Sequence, residues 1–103
     1  NECSYIFCDN CVDGCYFGNL ESELQKWVSK LRLGGVINIV GVDLDIVIEK
    51  YEFTKNLEEF NSYIESKNGI FNFETIKKIL LNLGLQIKSI ELNNGYYNIE
   101  AFR

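Results

Sequence analysis

The run Val36-Ile37-Asn38-Ile39-Val40-Gly41-Val42 restricts the possible fold more than any other stretch of this sequence. It is almost continuously apolar where a half-solvated strand would alternate, so it reads as a strand covered on both faces. Strands of that kind belong to parallel sheets, and a parallel neighbour requires a crossover connection. Upstream, Ser4-Tyr5-Ile6-Phe7-Cys8 is short, aromatic and β-branched, and it meets Asp9-Asn10 as a strand meets a turn. Between the two strands, Leu20, Leu24, Trp27, Val28 and Leu31 share one helical face. Asn19 is placed to cap that helix, Glu21 and Glu23 suit its first turn, and Gly34-Gly35 is placed to stop it. A right-handed crossover through this helix makes the two strands parallel neighbours.

Downstream, Asp43 can cap a helix that turns Leu44, Val47, Ile48 and Tyr51 inward, and Asn56 a shorter one carrying Leu57, Phe60 and Ile64. Lys67-Asn68-Gly69 ends that segment. A third helix has Asn72 at its cap, a Phe71–Ile76 hydrophobic staple, a stripe of Phe73, Ile76, Ile79, Leu80 and Leu83, and Gly84 as its left-handed terminator. Leu85 to Leu92 and Tyr96 to Phe102 read as antiparallel strands joined through Asn93-Asn94-Gly95, with a phase shift between Ile87 and Ile90 that predicts a bulge. The expected class is α/β, in one domain over residues 1–103 without repeats or linkers.

Charge narrows the partners. The formal charge of −5 and pI near 4.7 oppose passive binding to nucleic-acid backbones, since Lys and Arg are outnumbered and form no run. No apolar run approaches the roughly 20 residues that cross a bilayer, and no leader pattern opens the sequence, so the cytoplasm is the expected compartment. The absence of Met predicts that Asn1 is not the start of an unprocessed product. With no His, any proton transfer falls to Asp, Glu, Lys, Tyr or Cys.

Three blocks carry a family resemblance. They are Tyr5-Ile6-Phe7-Cys8-Asp9-Asn10, the stretch Leu24 to Ile39 containing Lys30-Leu31-Arg32-Leu33-Gly34-Gly35, and Phe73 to Gly84 running into Leu85-Gln86-Ile87. In this order, ahead of a terminal hairpin, they resemble the C-terminal half of class I S-adenosylmethionine-dependent methyltransferases, from the fourth strand to the seventh. The resemblance covers essentially the whole chain and implies a partial methyltransferase sheet: two parallel strands with a crossover helix, further helices, and an antiparallel β-hairpin.

The resemblance also implies S-adenosylmethionine as cofactor, but only together with an N-terminal half, because the family's glycine-rich loop follows its first strand. Gly34-Gly35 is no substitute, since it lies between a helix and a strand rather than between a strand and a helix. What the resemblance places near the methyl donor is Cys8, Asp9 and Asn10, at the carboxyl end of the first strand, where ligands of open α/β sheets sit. Asp9 can accept hydrogen bonds and Asn10 can both donate and accept; serving the turn is the alternative for both. Asp43 is a candidate for substrate contact, with capping of its own helix as the alternative. The acceptor implied is a small molecule or a sugar. The expected partner is the missing half or a second copy, pairing along the bare apolar edge of Ser4–Cys8; the alternative is a non-catalytic module that assembles through that edge.

Cys3, Cys8, Cys11 and Cys15 crowd the N-terminus with spacing C-x4-C-x2-C-x3-C. The first three match the start of a plant-type iron–sulfur spacing. Cys3 and Cys8 would lie on opposite faces of an extended strand, so no metal is expected and buried or loop thiols are; a disulfide such as Cys11–Cys15 is disfavoured in a reducing cytosol.

Overall fold

In a computed structural model, which describes residues 3–9, 17–65, 71–93 and 95–103, the chain runs β1 (Cys3–Asp9), α1 (Leu20–Ser29), β2 (Leu31–Val42), α2 (Leu44–Thr54), α3 (Leu57–Ile64), α4 (Phe73–Asn82), β3 (Gln86–Asn93) and β4 (Tyr96–Phe102). The strands form one sheet in the order β1-β2-β4-β3. β1 and β2 are parallel; β4 is antiparallel to both β2 and β3. The α/β class, the parallel pair with its crossover helix and the terminal hairpin are as expected. The later strand of the hairpin inserts beside β2 and pushes the earlier one to the edge.

The register sorts side chains into two faces, because Cα partners point the same way and alternate along each strand. Ile6, Ile37, Ala101 and Ile87 form one row, and Cys8, Ile39, Ile99 and Ile90 the next. This face is packed by Leu20, Leu24 and Val28 of α1 and by Ile76 and Leu80 of α4, in a single buried cluster. Gly41 faces Tyr97 across the ladder, and a Cβ at Gly41 would lie 2.7 Å from the Tyr97 hydroxyl. The missing side chain makes room for a fully buried ring.

The other face carries Tyr5, Val36, Phe102 and Gln86 in one row, then Phe7, Asn38, Glu100 and Ser89, then Asp9, Val40, Asn98 and Glu91. No residue of β2 from Val36 to Val42 is exposed, in keeping with the near-continuous apolar run, but on neighbouring β1 Tyr5 and Phe7 are 56% and 58% exposed on this face. Val36 and Val40 are half-buried because β1 and β4 flank them.

Helix ends follow the sequence where a side chain supplies the cap. Asp43, Asn56 and Asn72 accept from the N–H of Ile46, Glu59 and Thr75, at 3.2, 3.0 and 2.9 Å. Gly84 has φ +91° after α4, and β3 carries its irregularity between Ile87 and Ser89. Asn19 is different: its side chain makes no cap bond, and a 3-10 turn at Phe17–Asn19 leads into α1 instead. The end of α1 also departs from expectation, because the helix stops at Ser29 rather than at Gly34-Gly35. Tertiary partners take the carbonyls just beyond it: Cys3 N–H donates to Lys30 O at 2.6 Å, and the Arg103 guanidinium donates to Leu31 O. Leu31 therefore enters the sheet, fully buried, and Gly34 (φ +83°) lies within β2 where extra residues separate the Cys3–Leu31 and Tyr5–Val36 pairs. In α3 no residue is buried, and Leu57 is exposed; Phe60 meets Tyr51 of α2 with ring centroids 5.2 Å apart. The expected stop at Lys67-Asn68-Gly69 lies outside the described residues, as does Asn94 of the hairpin turn, where Gly95 has φ +87°.

Candidate functional site

Ligands of open α/β sheets bind beyond the carboxyl ends of the parallel strands. In this sheet those ends are Asp9 of β1 and Val42 of β2, with Asp43 next in the chain. Asp9 is exposed and pairs with Val40, so β2 continues two residues beyond its level before reaching Asp43. The fold thus puts both acidic candidates at one end of neighbouring strands, but gives them different environments.

Asp9 stands exposed on the sheet face opposite α1 and α4, and its carboxylate is an acceptor. Cys8 points the other way, into the buried cluster, and is 2% exposed. Its sulfur is disulfide-bonded, which corrects the expectation of a thiol there, whereas Cys3 is a free, exposed thiol. Only the Cys8 backbone is therefore in reach of a ligand. Asn10, Cys11 and Cys15 lie outside the described residues. Among the described residues no group of His, Cys, Asp and Glu is placed to hold a metal ion.

Asp43 is fully buried, and both of its carboxylate oxygens are engaged. One accepts from Ile46 N–H at 3.2 Å, capping α2; the other accepts from Phe73 N–H at 2.9 Å, in the first turn of α4. Its backbone is held as well: Asp43 N–H donates to Gly95 O at 2.8 Å and Leu44 N–H to Phe71 O at 3.1 Å. The capping role is present, and it extends to a second helix.

A third group of polar residues has no local signature in the sequence. Lys50 of α2 donates to the Tyr63 hydroxyl at 3.0 Å and pairs with Glu59 at 3.2 Å, both on α3. Its ammonium also lies 5.4 Å from the Tyr63 ring centroid. The Tyr63 ring packs near Gly95 and 6.0 Å from the Tyr96 ring, which ties α3 to the hairpin turn. The hydrogen bond to Tyr63, followed by the one to Glu59, raises the Lys50 pKa above its ordinary 10.5, so it stays protonated at neutral pH. These contacts join residues from separate helices, which no spacing rule links.

Likeness to solved structures is extensive in fold and low in sequence. The chain superposes over 100% of its length on an O-methyltransferase family protein from Burkholderia thailandensis, with a TM-score of 0.73 and 11% identity, covering 31% of that chain. It matches a magnesium protoporphyrin IX methyltransferase from Synechocystis, solved with bound SAH, at TM-score 0.73 and 11% identity, covering 46% of that chain. A SAM-dependent methyltransferase from Archaeoglobus fulgidus matches 99% of the chain at TM-score 0.71 and 13% identity, over 60% of its own length. No model of a known protein family matches the sequence, and no curated protein does. The chain has the fold of the C-terminal portion of a class I methyltransferase, and it spans less than two thirds of these proteins.

Proposed function

We propose that this chain is the C-terminal half of an S-adenosylmethionine-dependent methyltransferase acting on a small-molecule or sugar acceptor, with the main cofactor loop supplied by another polypeptide segment. The observation that carries this reading is the superposition of the whole chain on methyltransferases with Asp9 at the carboxyl end of the parallel strand β1. S-adenosylmethionine supplies an electrophilic methyl group on sulfur. In this reading the Asp9 carboxylate accepts from an amine or amide N–H of the cofactor and the Cys8 backbone lines the same strand end, with Asn10 next in the sequence as a further donor and acceptor. Asp43 acts at one remove, by holding α2 and α4 against the strand ends. Methyl transfer depends chiefly on aligning the nucleophile with the methyl group, and needs a base only when the acceptor must lose a proton. Titration calorimetry with S-adenosylmethionine on the chain joined to its upstream half tests the reading. Stoichiometric binding is expected, and no binding by a polypeptide that contains the glycine-rich loop refutes it.

A second reading, a non-catalytic module that assembles through a strand edge, is favoured by the position of β1 at the rim of the sheet. An exposed strand edge offers unpaired backbone groups to another chain. Light scattering separates the cases: association of the 103-residue chain that a charge at the exposed Tyr5 of β1 abolishes supports edge pairing, and a monodisperse monomer refutes it.

A further inference from the structure

Where the β3–β4 hairpin turns, polar and aromatic residues from three strands converge. Register places Val40, Asn98 and Glu91 side by side on β2, β4 and β3, with Tyr96 and Asn93 in the row beyond. These five residues border a shallow groove of ≈ 360 Å³, a volume within the usual span of small-ligand sites, about 300–1,000 Å³. Its chemistry is set by neighbours. Asn38, only 8% exposed, donates its amide N–H to Asn98 Oδ1 at 3.1 Å, so the oxygen of Asn98 is taken and its N–H pair is what it offers the groove. Asn38 Oδ1 itself has no hydrogen-bond partner, a rare state for a buried acceptor. Beside Asn98, at the cross-strand spacing of about 5 Å, stands the exposed Glu91, whose carboxylate accepts only. Tyr96 is 40% exposed, with its ring braced 6.0 Å from that of Tyr63, and Val40 supplies a half-buried apolar floor.

We propose that this groove binds a planar lactam heterocycle, a ring whose carbonyl stands next to N–H groups, as in guanine. The carbonyl accepts from the Asn98 amide, the adjacent ring N–H and amino group donate to the two oxygens of Glu91, and the ring lies over Val40 against Tyr96. Donor and acceptor thus sit next to each other in the groove, in the order that a lactam edge requires. A ring of opposite polarity, such as adenine, sets an acceptor nitrogen against the carboxylate and is rejected. The occupant is a free small molecule and not a nucleic-acid strand, because the chain carries a net charge of −5 and Glu91 stands at the groove itself, both of which repel a phosphate backbone. The site goes beyond the methyltransferase reading and does not depend on it.

The test is an NMR titration of the isotope-labelled 103-residue chain with guanosine, inosine and adenosine. Guanosine is expected to bind about tenfold more tightly than inosine, which lacks the amino group, and at least about tenfold more tightly than adenosine. Its saturating shifts should fall on the backbone of 91, 93, 96 and 98 and on the side-chain amides of Asn93 and Asn98. Glu91→Gln, at an exposed position where the fold is insensitive, should weaken guanosine about tenfold and erase its advantage over adenosine. Leu81→Ser, on the exposed surface of α4, should change nothing. A short single-stranded RNA with one central guanine should bind no more tightly than guanosine; tighter binding that added salt removes overturns the small-molecule assignment. Equal affinity for guanosine and adenosine, no binding by any of the three nucleosides, or shifts of the unaltered chain confined to residues outside 38–42 and 91–98 overturns the proposal. No cofactor is present, so failure here leaves the methyltransferase reading standing, and failure of cofactor binding leaves this groove standing.

Discussion

Asp43 and Phe73, thirty residues apart, are joined by a 2.9 Å hydrogen bond from the Phe73 N–H to the Asp43 carboxylate. The other carboxylate oxygen accepts from Ile46, so one fully buried side chain closes the first turns of two helices beside the end of β2. Both helix N-termini favour a negative charge there.

Replacing Asp43 by Ala should therefore cost more than an ordinary cap, about 3 kcal/mol, since two caps are lost in a buried setting. Asp43→Asn retains one oxygen acceptor and should cost about 1–2 kcal/mol. Urea unfolding measures both; equal stability of Asp43→Ala and the parent would show that the carboxylate does not hold the two helices together.

Gly41→Ala places a methyl group where the Tyr97 hydroxyl and ring already lie, at 2.7 and 2.9 Å. Overpacking of this kind should cost about 1–3 kcal/mol. The loss should shrink when Tyr97 is already Leu, and a double-mutant cycle should return a coupling of about 0.5–3 kcal/mol. Simple additivity would contradict the packing described here.

The Lys50 tether between α2 and α3 has a defined pH dependence. Its pKa is higher in the folded chain than the ordinary 10.5, so the folded state binds the proton more tightly. The stabilisation is fully present below 10.5 and is lost as pH rises through the higher folded value. Lys50→Met should lower the melting temperature at pH 7 and at pH 9 by the same small amount. A difference that instead disappears on going from pH 7 to pH 9 would refute the assignment.

For the cofactor wall, Asp9→Asn in the completed protein should weaken S-adenosylmethionine binding by about tenfold, the effect of losing a charged hydrogen-bond acceptor. Calorimetry reads it directly. The change should leave stability within about 0.5 kcal/mol, because Asp9 is exposed. Unchanged affinity would remove Asp9 from the site.

Local chemistry made much of the fold legible. Asp43, Asn56 and Asn72 cap their helices because a short side-chain acceptor reaches an N–H three residues on, an interaction contained within one turn. Gly84 terminates α4 for an equally local reason, its freedom to take φ +91°. Gly34-Gly35 misled because its competitors were distant in sequence, whereas at Asn19 a local 3-10 turn leads into α1 without a side-chain cap. The end of α1 is decided by Cys3 and Arg103, which take the carbonyls of Lys30 and Leu31.

The sequence by itself determined the kinds of element, their order and most of their caps, since these depend on neighbours within a turn or on side-chain periodicity. Periodicity also shows which residues of a strand share a face, but not what lies on that face. Only the tertiary structure decided that β4 inserts between β2 and β3, that Asp43 serves α4 as well as α2, and that Tyr5 and Phe7 stand exposed beside a buried Asn38. Each of those outcomes depends on groups brought together from distant parts of the chain, where strand pairing and packing, not local preference, choose the partner.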